Sequence, residues 1–165
     1  MVNLLPIETE ETIQAVMPMP QDKESWDNLN ILFATSFGSI RRNKLNDFVN
    51  IKRNGKIAIK LSENDKLIGV TTCNDDSQIL LASKNGKAIR FSINQVRVFK
   101  GRDSSGVRGI KLLGNDQVVS MSVIEDETNE FVLSICENGY GKRTKVTDYR
   151  ETGRGGLGVA NIETS

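Results

Sequence analysis

Residues 78–96 read QILLASKNGKAIRFSINQV. An apolar run reaches Asn85-Gly86, and a second alternating run leaves it. Asn-Gly between two strand-like runs is a strong hairpin signal, because a type I′ turn needs positive φ at both central positions. The same unit stands earlier as ILFATSFGSIRRNKLNDF (Ile31 to Phe48) and later as EFVLSICENGYGKRTKVTDY (Glu130 to Tyr149). The copies align on Gly38, Gly86 and Gly139. Arg42, Arg90 and Arg143 hold the fourth place after each glycine; Leu45, Ile93 and Val146 the seventh; Phe48, Val96 and Tyr149 the tenth. A period of about 50 residues marks a repeat array, and strand-rich repeats of that length predict propeller blades.

A second motif follows each hairpin: GKIAIKL (Gly55 to Leu61), GVRGIKL (Gly106 to Leu112) and GLGVANI (Gly156 to Ile162). After the first two come a turn and another apolar run, ENDKLIGVTTC and LGNDQVVSMSV. VNLLPIETEETIQAVMP (Val2 to Pro18) reads as the tail of a preceding copy, and the third copy stops at Ser165 before its last run. The chain is therefore expected to be a piece of one longer domain, with repeats at 2–55, 56–105 and 106–156 and the start of another at 157–165. Strands are expected near 12–18, 31–36, 39–45, 57–61, 67–73, 78–84, 87–93, 108–112, 118–124, 131–137, 140–146 and 158–162, or about three blades of four. No stretch holds helical periodicity over helical length, so the fold class is all-β. Trp26, in the polar connection 21–30, is expected to pin that connection to the core.

The net charge of +1 hides a segregated pattern. The stretches 38–60, 84–111 and 139–154 hold 20 of the 22 Lys and Arg but only four acidic residues, Asp47, Asp103, Asp148 and Glu151. Each stretch is a second hairpin strand plus the loop behind it. Repeats stack in register, so these stretches predict a continuous basic stripe suited to a polyanion. The loops NDFVNIKRN, NQVRVFKGRDSS and TDYRETGRG carry Lys52, Arg53, Arg97, Lys100, Arg102, Arg150 and Arg154 among glycines and small polar residues, as phosphate contact favours.

Catalytic sets are missing. The chain has no histidine, which removes the usual general base, the Ser-His and Cys-His pairs and most zinc sites. Cys73 and Cys136 are far apart and read as free thiols of a reducing compartment. Gly153, Gly155 and Gly158 match G-x-G-x-x-G, but VANI is strand-like and no βαβ unit surrounds it. Asp75-Asp76 and Glu125-Asp126-Glu127 read as solvated turn acids, with no metal site. No apolar run is long enough for a membrane helix, and no signal-peptide pattern stands at Met1.

Aligned on these repeats, VNLLPIETEETIQAVMP, GKIAIKL, DKLIGV, SSGVRGIKL and ENGYGKRT resemble the blade signatures of the C-terminal domain of the bacterial DNA gyrase A protein. The resemblance covers essentially the whole chain. It implies about three blades of a six-bladed β-pinwheel, a propeller-like ring of four-stranded antiparallel blades in which a strand is exchanged between neighbours. It also implies DNA wrapping on a basic rim, within a type II topoisomerase that introduces negative supercoils using ATP and Mg2+. The implied partners are double-stranded DNA, the rest of the gyrase A protein and the gyrase B protein in an A2B2 heterotetramer; the implied location is cytoplasmic and nucleoid-associated. The ATPase and the DNA-cleaving tyrosine of such a complex lie elsewhere, so this chain carries no catalytic residue and no cofactor. The family's Gln-Arg-Arg-Gly-Gly-Lys-Gly box is approached only by TGRGGLG (Thr152 to Gly158), which keeps Arg154, Gly155, Gly156 and Gly158 and reads as a degenerate copy.

The phosphate contacts expected from residue type and position are Arg41, Arg42 and Lys44 in the first copy. In the second they are Lys87, Arg90, Arg97, Lys100, Arg102 and Arg108, and in the third Lys142, Arg143, Lys145 and Arg154. Alternation along a strand places some of these on the wrong face. Two other readings fit the same repeats: the equivalent domain of topoisomerase IV, and a propeller that binds protein. Unpaired blade edges also make self-association an expectation.

Overall fold

The computed structural model describes residues 12–50 and 55–164. Residues 2–11 of the N-terminal motif, together with Lys52 and Arg53, lie outside the described residues. The described chain is built from strands and 3-10 turns, with no α-helix. In order, the strands are β1 (Asn30–Thr35), β2 (Ser39–Lys44), β3 (Leu67–Cys73), β4 (Gln78–Ser83), β5 (Lys87–Ser92), β6 (Val98–Phe99), β7 (Val107–Arg108), β8 (Val118–Ile124), β9 (Phe131–Ile135), β10 (Gly141–Lys145) and β11 (Val159–Ala160).

All three hairpins form. β1–β2, β4–β5 and β9–β10 are antiparallel, with Leu32↔Arg42, Leu80↔Arg90 and Leu133↔Arg143 at the same register position. Their turn glycines have φ of 83°, 76° and 85°, a region where only glycine avoids a Cβ penalty. The first sheet runs β3-β1-β2, and the second runs β8-β4-β5-β11.

The strand that completes each sheet comes from the next repeat. β7 pairs with β2 (Ser39↔Arg108, Ile40↔Val107), and β11 pairs with β5 (Val159↔Ala88, Ala160↔Lys87). The chain beyond each exchanged strand hooks onto the preceding turn. The Gly38 carbonyl accepts from the Gly109 N–H at 2.7 Å, and the Gly86 carbonyl accepts from the Asn161 N–H at 2.8 Å. GVRGIKL and GLGVANI therefore belong structurally to the hairpin before the one they follow in sequence.

Two expected strands are absent. Residues 12–20 and 56–61 have no regular pairing. GKIAIKL lacks what its two sister motifs have, a preceding hairpin among the described residues to supply a hydrogen-bonding edge. Ala58 and Ile59 instead pack onto the first sheet beside Phe33 and Phe48. Among the described residues the first two copies form completed sheets, and the third contributes a two-stranded hairpin. β6, which pairs in parallel with β2, has no counterpart among the expected strands.

The apolar alternation divides the core in layers. Leu32 and Ile40 on one face of the first sheet meet Ile79, Leu81, Ile89 and Phe91 of the second. The opposite face of the second sheet, through Leu80 and Ala88, meets Val146 and Tyr149 of the third copy. Ile31 and Phe33 turn the other way, toward Trp26. Trp26 donates its ring N–H to the Pro20 carbonyl, so it pins the connection as expected. Leu32 and Leu80 are 0% and 3% exposed, whereas Leu133 at the equivalent place is 66% exposed, beside open Phe131 and Ile135. β3 and β8 pack on each other, with Gly69 against Met121. They form the inner edge of the stack, and β2 and β5 with their exchanged partners form the outer edge.

Cys73 is buried between the layers, and desolvation pushes its thiol up to about 11. Cys136 is only half-buried. Because the thiolate is the reactive form, iodoacetamide at about pH 8 is expected to mark Cys136 and spare Cys73. Equal labelling in the folded protein would contradict this layering.

Candidate nucleic-acid interface

The connections 93–108 and 146–158 leave the outer strand of one sheet and return as the exchanged strand of the sheet before it. They therefore lie along the outer edge, where the basic stretches are expected to align. Lys87, Arg97, Lys100 and Arg108 are exposed there in the second copy. In the third, Lys142, Arg143 and Lys145 are exposed. Lys44, Arg102 and Arg154 are half-buried. Arg150, one of the loop cations, is exposed as well, as are Lys84 and Lys111, which are not among the expected contacts.

Two of these cations lie over aromatic rings. The Arg97 guanidinium sits 4.4 Å from the Phe99 ring centre, and Arg143 sits 4.6 Å from that of Phe131. An arginine stacked in this way keeps its N–H fork free while its orientation is fixed.

Three expected contacts are corrected by their burial. Arg41, Arg42 and Arg90 are 0%, 6% and 6% exposed. β2 and β5 are edge strands only within their own hairpins; β7 and β6 cover the free edge of β2, and β11 with the Arg90–Glu151 bridge covers that of β5, so each becomes an interior strand. A charge buried there needs partners inside the protein. Arg42 finds Asp75 at 3.1 Å, and Arg90 finds Glu127 at 2.6 Å together with Gln78 and the Tyr149 carbonyl. The Arg90 hydrogen bond, then that of Gln78, holds the Glu127 carboxyl below its ordinary range. The acid of each pair stands in the turn behind the third strand of its copy, so two of the acids that read as solvated turn residues are the periodic arginines' counter-ions. That signal is present in the sequence, as acids recurring at the same point of the first two repeats. The third periodic arginine, Arg143, stays exposed.

The box-like loop is also bound internally. The Arg154 guanidinium donates to the carbonyls of Gln95 (3.0 Å) and Arg108 (2.6 Å). The Gly155 N–H donates to the Gly109 carbonyl, and the Gly156 carbonyl accepts from the Lys111 N–H. This loop ties the third copy's connection to that of the second. Asp126 is engaged within its own turn, where Thr128 and then Asn129 hold its carboxyl down to about 2. Among the described residues, no three His, Cys, Asp or Glu side chains come together as a cation site.

A stack of strand-exchanged blades built on a repeated hairpin is the architecture of a propeller-like repeat module. Residues 29–74, 77–125 and 130–165 each match the family described as DNA gyrase C-terminal domain, beta-propeller, and the chain belongs to that family. The DNA gyrase A protein of Rickettsia bellii is 41% identical over 99% of this chain and 23% of that protein. That of Staphylococcus epidermidis is 40% identical over 96% of this chain and 17% of that protein. The chain thus spans less than a quarter of these relatives' length. Among solved structures, a DNA topoisomerase IV C-terminal domain superposes with a TM-score of 0.86 at 26% identity, covering 96% of this chain and 48% of that one. A DNA gyrase A C-terminal domain superposes with a TM-score of 0.71 at 32% identity, covering 81% and 43%.

Proposed function

We propose that the outer edge binds double-stranded DNA through its phosphates, as the wrapping portion of a gyrase A protein. The observation that carries this reading is the run of exposed cations, Lys87, Arg97, Lys100, Arg108, Lys142, Arg143 and Lys145, along one edge of consecutive blades. Contacts of this kind neutralise charge and leave any sequence preference to DNA bendability. The residues carrying it are the exposed and half-buried cations; Arg41, Arg42 and Arg90 support the frame beneath them. The box-like loop acts here as a tie between blades.

In the parent complex the module would present wrapped DNA to a strand-passage enzyme that consumes ATP with Mg2+. The rest of the gyrase A protein and the gyrase B protein would supply that chemistry, in the cytoplasm beside the nucleoid. The repeat boundaries near 55, 105 and 156 follow the order of motifs along the chain, and the sheets are assembled across them. The open apolar face of Phe131, Leu133 and Ile135 is the place for a following blade or for self-association. The close superposition on a topoisomerase IV domain favours a second reading, in which the same edge discriminates DNA crossings without active wrapping.

The test is a titration of a linear duplex of about 40 base pairs across a salt series, where log K should fall with log salt by about 0.9 per phosphate contact. A slope worth several contacts is expected. Salt-insensitive binding, or none at low salt, would overturn the DNA reading.

A further inference from the structure

Arg41 breaks the repeat. It is the third residue after Gly38, and Ile89 and Lys142 hold that place in the other copies. Ile89 at this position lies in the apolar layer, as the alternation demands. A guanidinium in the same place is costly, and burial lowers its affinity for a proton. None of its hydrogen bonds goes to a carboxylate. Nη1 donates to the carbonyls of Arg102 (2.6 Å) and Ser104 (2.7 Å), and Nη2 donates to that of Gly101.

All three carbonyls belong to one turn of the second copy's connection, the turn that carries Lys100 and Arg102. The Phe99 ring, 5.4 Å from Arg41, is the ring that Arg97 covers from outside. Asn43, two residues further along β2, donates to the carbonyls of Phe99 (2.8 Å) and Gly101 (3.1 Å). The first sheet therefore grips, from within, a loop whose other side holds three cations. The nearby carboxylates, Asp103 of the same loop and Asp47, act on this guanidinium through space without a hydrogen bond to it.

We propose that Arg41 is a positioning residue for DNA contact: it fixes the 97–105 loop so that Arg97, Lys100 and Arg102 meet the phosphates as a set. This rests on the DNA reading above. It assigns the set to a clamp between blades, so the strength of the rim depends on the strand exchange.

The experiment uses the full chain and the duplex titration across salt. Arg41→Gln should flatten the slope by up to about 2.7, the value of three phosphate contacts. Arg41→Lys should not restore it, because an ammonium keeps the charge but lacks the planar fork. The double variant Lys100→Gln/Arg102→Gln should flatten the slope in the unaltered protein and change nothing further in the Arg41→Gln background. Lys142→Gln, remote from the loop, should cost the same slope in both backgrounds, which a general loss of structure would not allow. Amide exchange at 101–105 should quicken at least tenfold in Arg41→Gln and stay unchanged in Lys100→Gln. Where Arg41→Gln does not fold, Phe99→Leu leaves the arginine in place, removes the stacked ring and should give a partial flattening.

A full slope in Arg41→Gln, a full slope in Phe99→Leu, or additive effects of the loop cations in both backgrounds would overturn the inference while leaving the DNA reading intact. Failure of the unaltered protein to bind would overturn both.

Discussion

Alanine at Gly86 is expected to unfold the chain at markedly lower urea than alanine at Gly139, although both glycines turn equivalent hairpins with φ of 76° and 85°. Each substitution places a side chain in the left-handed region, which costs about 1–2 kcal/mol. At Gly139 that is the whole cost, because a Cβ there meets nothing within 4 Å. At Gly86 the new Cβ would overlap the Ile162 carbonyl oxygen and stand 3.1 Å from Thr164 Cγ2. Relief requires the segment behind β11 to leave the turn, which breaks its bonds to the Gly86 carbonyl and loosens the exchange. Overpacking of this kind costs a further ~1–3 kcal/mol. Gly38, whose Cβ would lie 2.9 Å from the Ile110 carbonyl oxygen, should fall between the two. Urea midpoints followed by β-sheet circular dichroism give the order directly. Equal midpoints for Gly86→Ala and Gly139→Ala would mean that the exchanged segment does not sit on the turn.

The second large effect separates arginines that the repeat makes equivalent. Arg90→Met should cost about 2–4 kcal/mol of stability, because it strips a charged donor from the buried Tyr149 carbonyl and from Gln78. Methionine retains much of the aliphatic volume, so the loss reports on the hydrogen bonds rather than on a cavity. The salt slope of DNA binding should stay unchanged, since Arg90 is closed to solvent. Arg143→Met should do the reverse. Its guanidinium is exposed over Phe131, so stability should move by no more than about 0.5 kcal/mol. The salt slope should flatten by about 0.9, one phosphate contact. A weakened salt slope in Arg90→Met without loss of stability would return Arg90 to the interface.

The hairpins are legible because their information is local. Asn85-Gly86 fixes a turn, and the alternation on either side fixes the face, so β4 and β5 fall within a residue of their expected ends. The exchanged strands are legible as strands, and the family resemblance implies an exchange, but their partners and register are not legible from the local residues. Nothing near Val107 or Val159 indicates that the hydrogen bonds go back to Ile40 and Ala88, because ladder pairing has no sequence code of its own. The same gap explains the misplaced arginines. Whether Arg42 and Arg90 face solvent or a neighbour depends on which strand covers β2 and β5. GKIAIKL demonstrates the converse: residues 56–61, though strand-like, have no ladder among the described residues. Of the rim, the loops and their charge can be read from composition. The division of labour among Arg41, Phe99 and Arg97 cannot, because it joins two copies through three backbone carbonyls.

DNA that lies along the outer edge and nowhere else on the chain should leave a footprint on the lysines. Amine-reactive labelling, read by mass spectrometry with and without duplex DNA, records that footprint. Lys87, Lys100, Lys142 and Lys145 should be protected. Lys23 and Lys66, exposed and outside the basic stretches, should label as fast with DNA as without it. Protection of Lys66 or Lys23, or uniform protection of every lysine, would place the DNA elsewhere and contradict binding at the outer edge.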